Sequence, residues 1–277
     1  MKKLASFLII AALLLPVLAL GEAEWTFPLA LKDINIGVLD IASHAAPLPS
    51  DYSFEDGITV KTRKNDIDGN NTNGGIYMAS NGNKLVMRRV AGNALVKMFN
   101  AAELDDITLY ARAAYRSASE QKKRYQRAES TGDLIYMQPA GECDYETGLA
   151  VTVVNKDYRG ATLDATFAYT NEALWLEQNA HRFGFVLRYP AGKEPVTGCT
   201  YEPWHLRYVG PGVASYMYRN NLSLEEFMTG FNAAMDAYIA DGGSLEAALA
   251  MGVLPAGPVE LEETDAEGDH EVTLFHD

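Results

Sequence analysis

The chain has 277 residues, of which 48% are hydrophobic, and its 37 acidic side chains against 23 basic ones give a formal net charge of −14. That length supports one sizeable core without demanding two. The acidic balance argues against recognition of nucleic acid or an anionic membrane surface.

Met1-Lys2-Lys3-Leu4 precedes an apolar run from Ala5 to about Leu20, followed by Gly21-Glu22-Ala23-Glu24. This is the layout of a secretory signal peptide, with cleavage expected after Gly21 and residues 1–21 removed. The expectation is a secreted or cell-envelope protein that meets a membrane only if this segment stays uncleaved. Residues 22–87 read as an extended lead-in and the start of the core, stiffened by Pro47 and Pro49. Asp66, Asp68 and Asn70 alternate as in a calcium loop, but the Glu and flanking helices of such a loop are missing, so the Asp, Asn and Gly residues there read as turns.

Residues 88–220 read as the core domain. Val90, Ala94, Leu95, Met98, Phe99 and Ala102 recur at helical spacing and predict an amphipathic helix from Arg88 to Ala102. A strand is predicted from Thr108 to Ala113, then a helix around Ser119 to Arg127. Leu149 to Val154 is β-favouring. A helix from Asn171 to Arg182, a strand from Phe185 to Tyr189 and a turn at Pro190-Ala191-Gly192 follow. Residues 221–277 form the C-terminal part: Ser223 and Glu226 make a capping box for a helix from Leu224 to about Ala240. A shorter helix is expected from Ser244 through Met251, then an acidic tail with Val272 to Phe275 as a terminal strand. The predicted class is α+β, a small antiparallel sheet covered by helices.

Three stretches could carry chemistry. In Tyr201-Glu202-Pro203-Trp204-His205, a carboxylate stands three residues before a histidine beside a tryptophan, an arrangement suited to a catalytic base next to a metal ligand. Tyr115-Arg116-Ser117 with Gln121 offers an arginine whose paired N–H donors suit a carboxylate or an oxyanion. The third stretch is Cys143-Asp144-Tyr145-Glu146-Thr147-Gly148-Leu149-Ala150-Val151-Thr152.

Together, and with Phe183 to Pro190, these stretches resemble the VanY-type D-alanyl-D-alanine carboxypeptidases, zinc peptidases that trim the stem peptides of bacterial peptidoglycan. The resemblance runs from about Pro47 to Phe227 and implies a D,D-carboxypeptidase-like fold. It places Glu202 at the general base and His205 at the third zinc ligand. It makes Tyr115, Arg116, Ser117, Gln121 and Trp204 substrate-binding. In the family, the third stretch reads Ser-Glu-His, two residues, Gly-Leu-Ala, one residue, Asp, and its His and Asp bind zinc. Here Tyr145 and Thr152 occupy those two positions. A threonine does not replace a carboxylate ligand, and a phenol with a pKa near 10 is a poor donor at neutral pH.

The reading is therefore a zinc-deficient, catalytically degenerate carboxypeptidase-like protein, with no resident cofactor, that keeps a groove for a peptidoglycan stem peptide. The alternative is an active D,D- or L,D-carboxypeptidase whose metal site is rewired through Cys143, Asp144, Cys199 and His205. A competing disulfide between Cys143 and Cys199 is sterically plausible if the fold brings the two motifs together; it would remove both thiolates.

Overall fold

The apolar stripe read in the sequence becomes the first helix, α1 (Arg89–Leu104), which buries Ala91, Leu95, Met98, Phe99 and Ala102. The computed structural model of the chain describes residues 25–62, 75–79 and 84–244. The signal-like segment, the Asp/Asn-rich run, the helix expected after Ser244 and the terminal strand lie outside the described residues.

The stripe of α1 packs on a five-stranded sheet. Its strands are β2 (Tyr77–Met78), β4 (Tyr110–Ala113), β5 (Ala150–Val154), β6 (Phe185–Leu187) and β7 (His205–Tyr208), in the spatial order β2-β4-β5-β7-β6. Four of them pair antiparallel as expected. The edge strand corrects the expectation, since β2 runs parallel to β4. A separate antiparallel pair, β1 (Gly57–Thr59) with β3 (Val86–Arg88), lies alongside.

Alternation along β5 and β7 separates two environments. Val151, Val153 and Leu206 join the α1 core. Thr152, His205 and Arg207 therefore point to the opposite face. That face is closed by a second apolar cluster from α5 (Pro211–Arg219), α6 (Leu224–Ala240) and the lead-in residues Leu31, Ile34 and Leu39. Trp25 and Phe27 of the lead-in pack edge-on against Phe231 of α6. With both faces covered, every residue of β5 is buried.

Helix α6 begins at the expected capping box, with Ser223 and Glu226 each holding the other's backbone. Helix α2 (Ala118–Thr131) is longer than predicted and stops at Gly132, which adopts the left-handed conformation. Helix α3 (Asn171–Asn179) is shorter, because Ala180–Phe183 tightens into a 3-10 turn. A four-residue helix, α4 (Glu194–Thr197), leads towards the segment before β7. Among the described residues no helix is long and apolar enough to cross a membrane.

Candidate functional site

Thr152 and His205 are direct partners in the β5–β7 register, so two of the three positions of interest are brought side by side by the sheet itself. Tyr145 joins them from a single 3-10 turn, Asp144–Thr147, which Gly148 closes at φ 69°. The Tyr145 hydroxyl lies 2.5 Å from Thr152 Oγ1. Its ring stacks on the His205 imidazole at 4.4 Å between centroids, and Tyr189 meets that imidazole edge-on. Glu202 lies in the turn before β7, where its carboxylate bonds His205 Nδ1 at 2.7 Å. The four residues thus converge, and all are buried: Tyr145 is 6% exposed, Thr152 3%, Glu202 4% and His205 1%.

Beneath them runs a buried charge network. Asp144 accepts a hydrogen bond from Arg207 and lies 3.4 Å from Arg188 Nε. Arg207 also donates to the backbone carbonyls of Val38 and Asp40, tying the lead-in to the site. Arg188 Nη2 stands 2.7 Å from Glu225 Oε1, an ion pair by distance though not aligned as a hydrogen bond. Such charges are tolerable inside only when paired. Burial alone would raise the Asp144 pKa, but Arg207, His205 and Arg188 outweigh it and hold the carboxyl well below the usual range. Burial would lower the His205 pKa, yet its contacts with Asp144 and Glu202 carry it above the ordinary histidine value.

A zinc site needs deprotonated or neutral donors converging on one point, with a position left open. These residues do not fit it. Burial pushes the Tyr145 phenol well above its ordinary pKa, which disfavours the phenolate that ligation needs, and its hydroxyl is bonded to the neutral Thr152. His205, oriented through Nδ1 by Glu202, is the one imidazole donor at these positions, and a single donor does not make a zinc site. The alternative donors do not assemble either. Among the described residues no three His, Cys, Asp or Glu side chains gather where they could hold a metal ion. Cys143 is buried with Ala150 and Tyr145, and burial pushes its thiol up to about 12. Cys199 accepts a hydrogen bond from Gln138 Nε2 at 3.6 Å. Both cysteines are free thiols, which corrects the disulfide raised from the sequence.

The Tyr-Arg-Ser stretch borders the same site. The Arg116 guanidinium lies over the Tyr145 ring at 4.2 Å and donates to Gln121 Oε1 at 3.2 Å. Gln121 is fully buried and itself donates to the Gln138 carbonyl, so it fixes Arg116 from behind. Ser117 caps α2 by accepting from the Glu120 amide. Tyr115 is 38% exposed, whereas Trp204 is 2% exposed and packs edge-on against Tyr136 behind the site. Sequence reasoning missed Arg188, Arg207 and Glu225. The available signal was an arginine inside each of two apolar strand-like runs, Phe185 to Tyr189 and His205 to Tyr208.

Residues 84–211 match the VanY family, D-alanyl-D-alanine carboxypeptidase. YodJ of Bacillus subtilis is 37% identical over 148 residues, covering 52% of this chain and 54% of its own length. The D-alanyl-D-alanine carboxypeptidase of Enterococcus faecium is 38% identical over 116 residues, covering 42% of this chain and 35% of its own. The chain thus spans about half or less of these two relatives. Among solved structures, the LdcB LD-carboxypeptidase, described in terms of peptidoglycan recognition, superposes with a TM-score of 0.60 at 29% identity, covering 70% of this chain and 86% of that one. VanYB in complex with D-alanine-D-alanine gives a TM-score of 0.52 at 25% identity, covering 69% and 97%.

Proposed function

We propose that this chain, whose residues 84–211 match the VanY D-alanyl-D-alanine carboxypeptidase family, is an exported cell-wall protein that binds peptidoglycan stem peptides without hydrolysing them through zinc. The observation that carries this reading is the Tyr145–Thr152 hydrogen bond, made by the two residues that stand where the family has zinc ligands. It occupies both side chains with each other, and a water held at this place would lack the metal that turns it into a nucleophile. Glu202, at the general-base position, is engaged by His205 instead.

Recognition rests on Arg116. Among the described residues it has no carboxylate partner, its aromatic neighbour and Gln121 orient it, and a guanidinium so held suits the terminal carboxylate or a carbonyl of a peptide. The likeness to proteins described as recognising peptidoglycan or holding D-alanine-D-alanine supports this ligand class. The test is calorimetric titration with a purified stem peptide ending in D-Ala-D-Ala. Native protein binds it, and Arg116→Ala weakens binding by about 1.5–3 kcal/mol, the range of a hydrogen bond to a charged group. No binding by the native protein, or equal binding by the variant, removes the receptor reading and leaves a structural domain.

A further inference from the structure

The open groove beside this site lies along β1, where Tyr115 forms one wall. It has a volume of about 350 Å³, and its lining includes Phe54, Glu55, Gly57, Val86 and Tyr115. Its walls are fixed. The Tyr115 amide donates to the Val86 carbonyl of β3 at 3.2 Å, and the Phe54 ring meets the Tyr115 ring edge-on at 5.0 Å between centroids. Phe54 is held from two further sides, since a Cβ at Gly148 would stand 2.4 Å from its ring and one at Gly57 would stand 3.1 Å away. Two glycines therefore make room for this one aromatic side chain.

Glu55 brings the only carboxylate to this lining. Its neighbour Asp56 is paired with Arg88 at 2.8 Å, but among the described residues Glu55 has no ion-pair partner, and it is exposed. Two aromatic rings beside an unpaired carboxylate form an environment that attracts an organic cation, through the ring quadrupoles and the opposite charge. The net charge of −14 adds a long-range attraction of the same sign. We propose that this groove binds the alkylammonium group of a lysine-type side chain on a peptide, with the methylene stem against Phe54 and Tyr115 and the ammonium at Glu55. The site uses neither Arg116 nor the Tyr145–Thr152 pair, so it stands or falls independently of the stem-peptide reading.

The probe is Nα-acetyl-lysine methylamide, which has an ammonium and no carboxylate, compared with its Nε-acetylated twin. Titration of the full chain is followed by the backbone amide resonances of Gly57 and Tyr115. The free amine should give saturable shifts at both amides, and the acetylated twin should give none. Glu55→Gln, at an exposed position where folding is preserved, should weaken the free-amine response by roughly threefold to tenfold, as expected for an exposed charge pair with an aromatic contribution. Absence of saturable shifts, equal responses to the two probes, or an unchanged response in Glu55→Gln would each overturn the proposal, whatever the stem-peptide titration gives.

Discussion

Tyr145 and Thr152 satisfy each other's hydroxyls in a buried place, and this coupling predicts how they respond to substitution. Tyr145→Phe keeps the stack on His205 but leaves Thr152 Oγ1 buried without its partner. It should cost about 1–3 kcal/mol in urea unfolding, the penalty of an unsatisfied buried group. Adding Thr152→Val to it should recover most of that loss; strictly additive costs would show that the two residues are not coupled. The neighbouring charges predict a pH profile. The Asp144 pKa is depressed, so its stabilisation is complete above the unfolded value of about 3.9 and fades as pH falls. The His205 pKa is raised, so its stabilisation is complete below about 6.5 and is lost as pH climbs through the folded value. Denaturant midpoints at about pH 5, 7 and 9 should therefore decline on the alkaline side, and His205→Gln should flatten that decline. A native midpoint that rises from the lowest to the highest of these pH values contradicts a charged imidazole at this position.

The 3-10 turn Asp144–Thr147 delivers Tyr145 to the sheet, and its geometry depends on Gly148. Gly148→Ala would hold a side chain at φ 69° and drive a Cβ to within 2.4 Å of Phe54. The backbone term alone is about 1–2 kcal/mol, so thermal unfolding should show a clear loss, and an unchanged midpoint would mean that the turn relaxes freely. Elements with strong local signals were legible in the sequence: the α1 stripe, the β-favouring run of β5 and the Ser223–Glu226 capping box. Strand β7 was not, because a run containing Glu202, His205 and Arg207 reads as a site, and only the second layer of α5, α6 and the lead-in makes it a buried strand. The parallel pairing of β2 was equally hidden, since it depends on two residues meeting β4 far along the chain. The positions of Tyr145, Thr152, Glu202 and His205 were legible through the resemblance. Their mutual bonding was not, because it requires the 3-10 turn and the β5–β7 register together.

At the scale of the whole molecule, the lead-in and α6 close over the face that carries the site, and Arg207 links that cover to Asp144 through the carbonyls of Val38 and Asp40. The scaffold thus brings Tyr145, Thr152 and His205 together beside Glu202, and in the proposed reading the first two stand where zinc ligands would. Restoring imidazole and carboxylate together, in Tyr145→His with Thr152→Asp, should return zinc binding, because the β5–β7 register already sets Thr152 opposite His205; this variant serves as the positive control. The decisive measurement is elemental analysis of the unmodified protein purified with zinc supplied. The account predicts far less than one zinc per chain, and zinc approaching one per chain would contradict it.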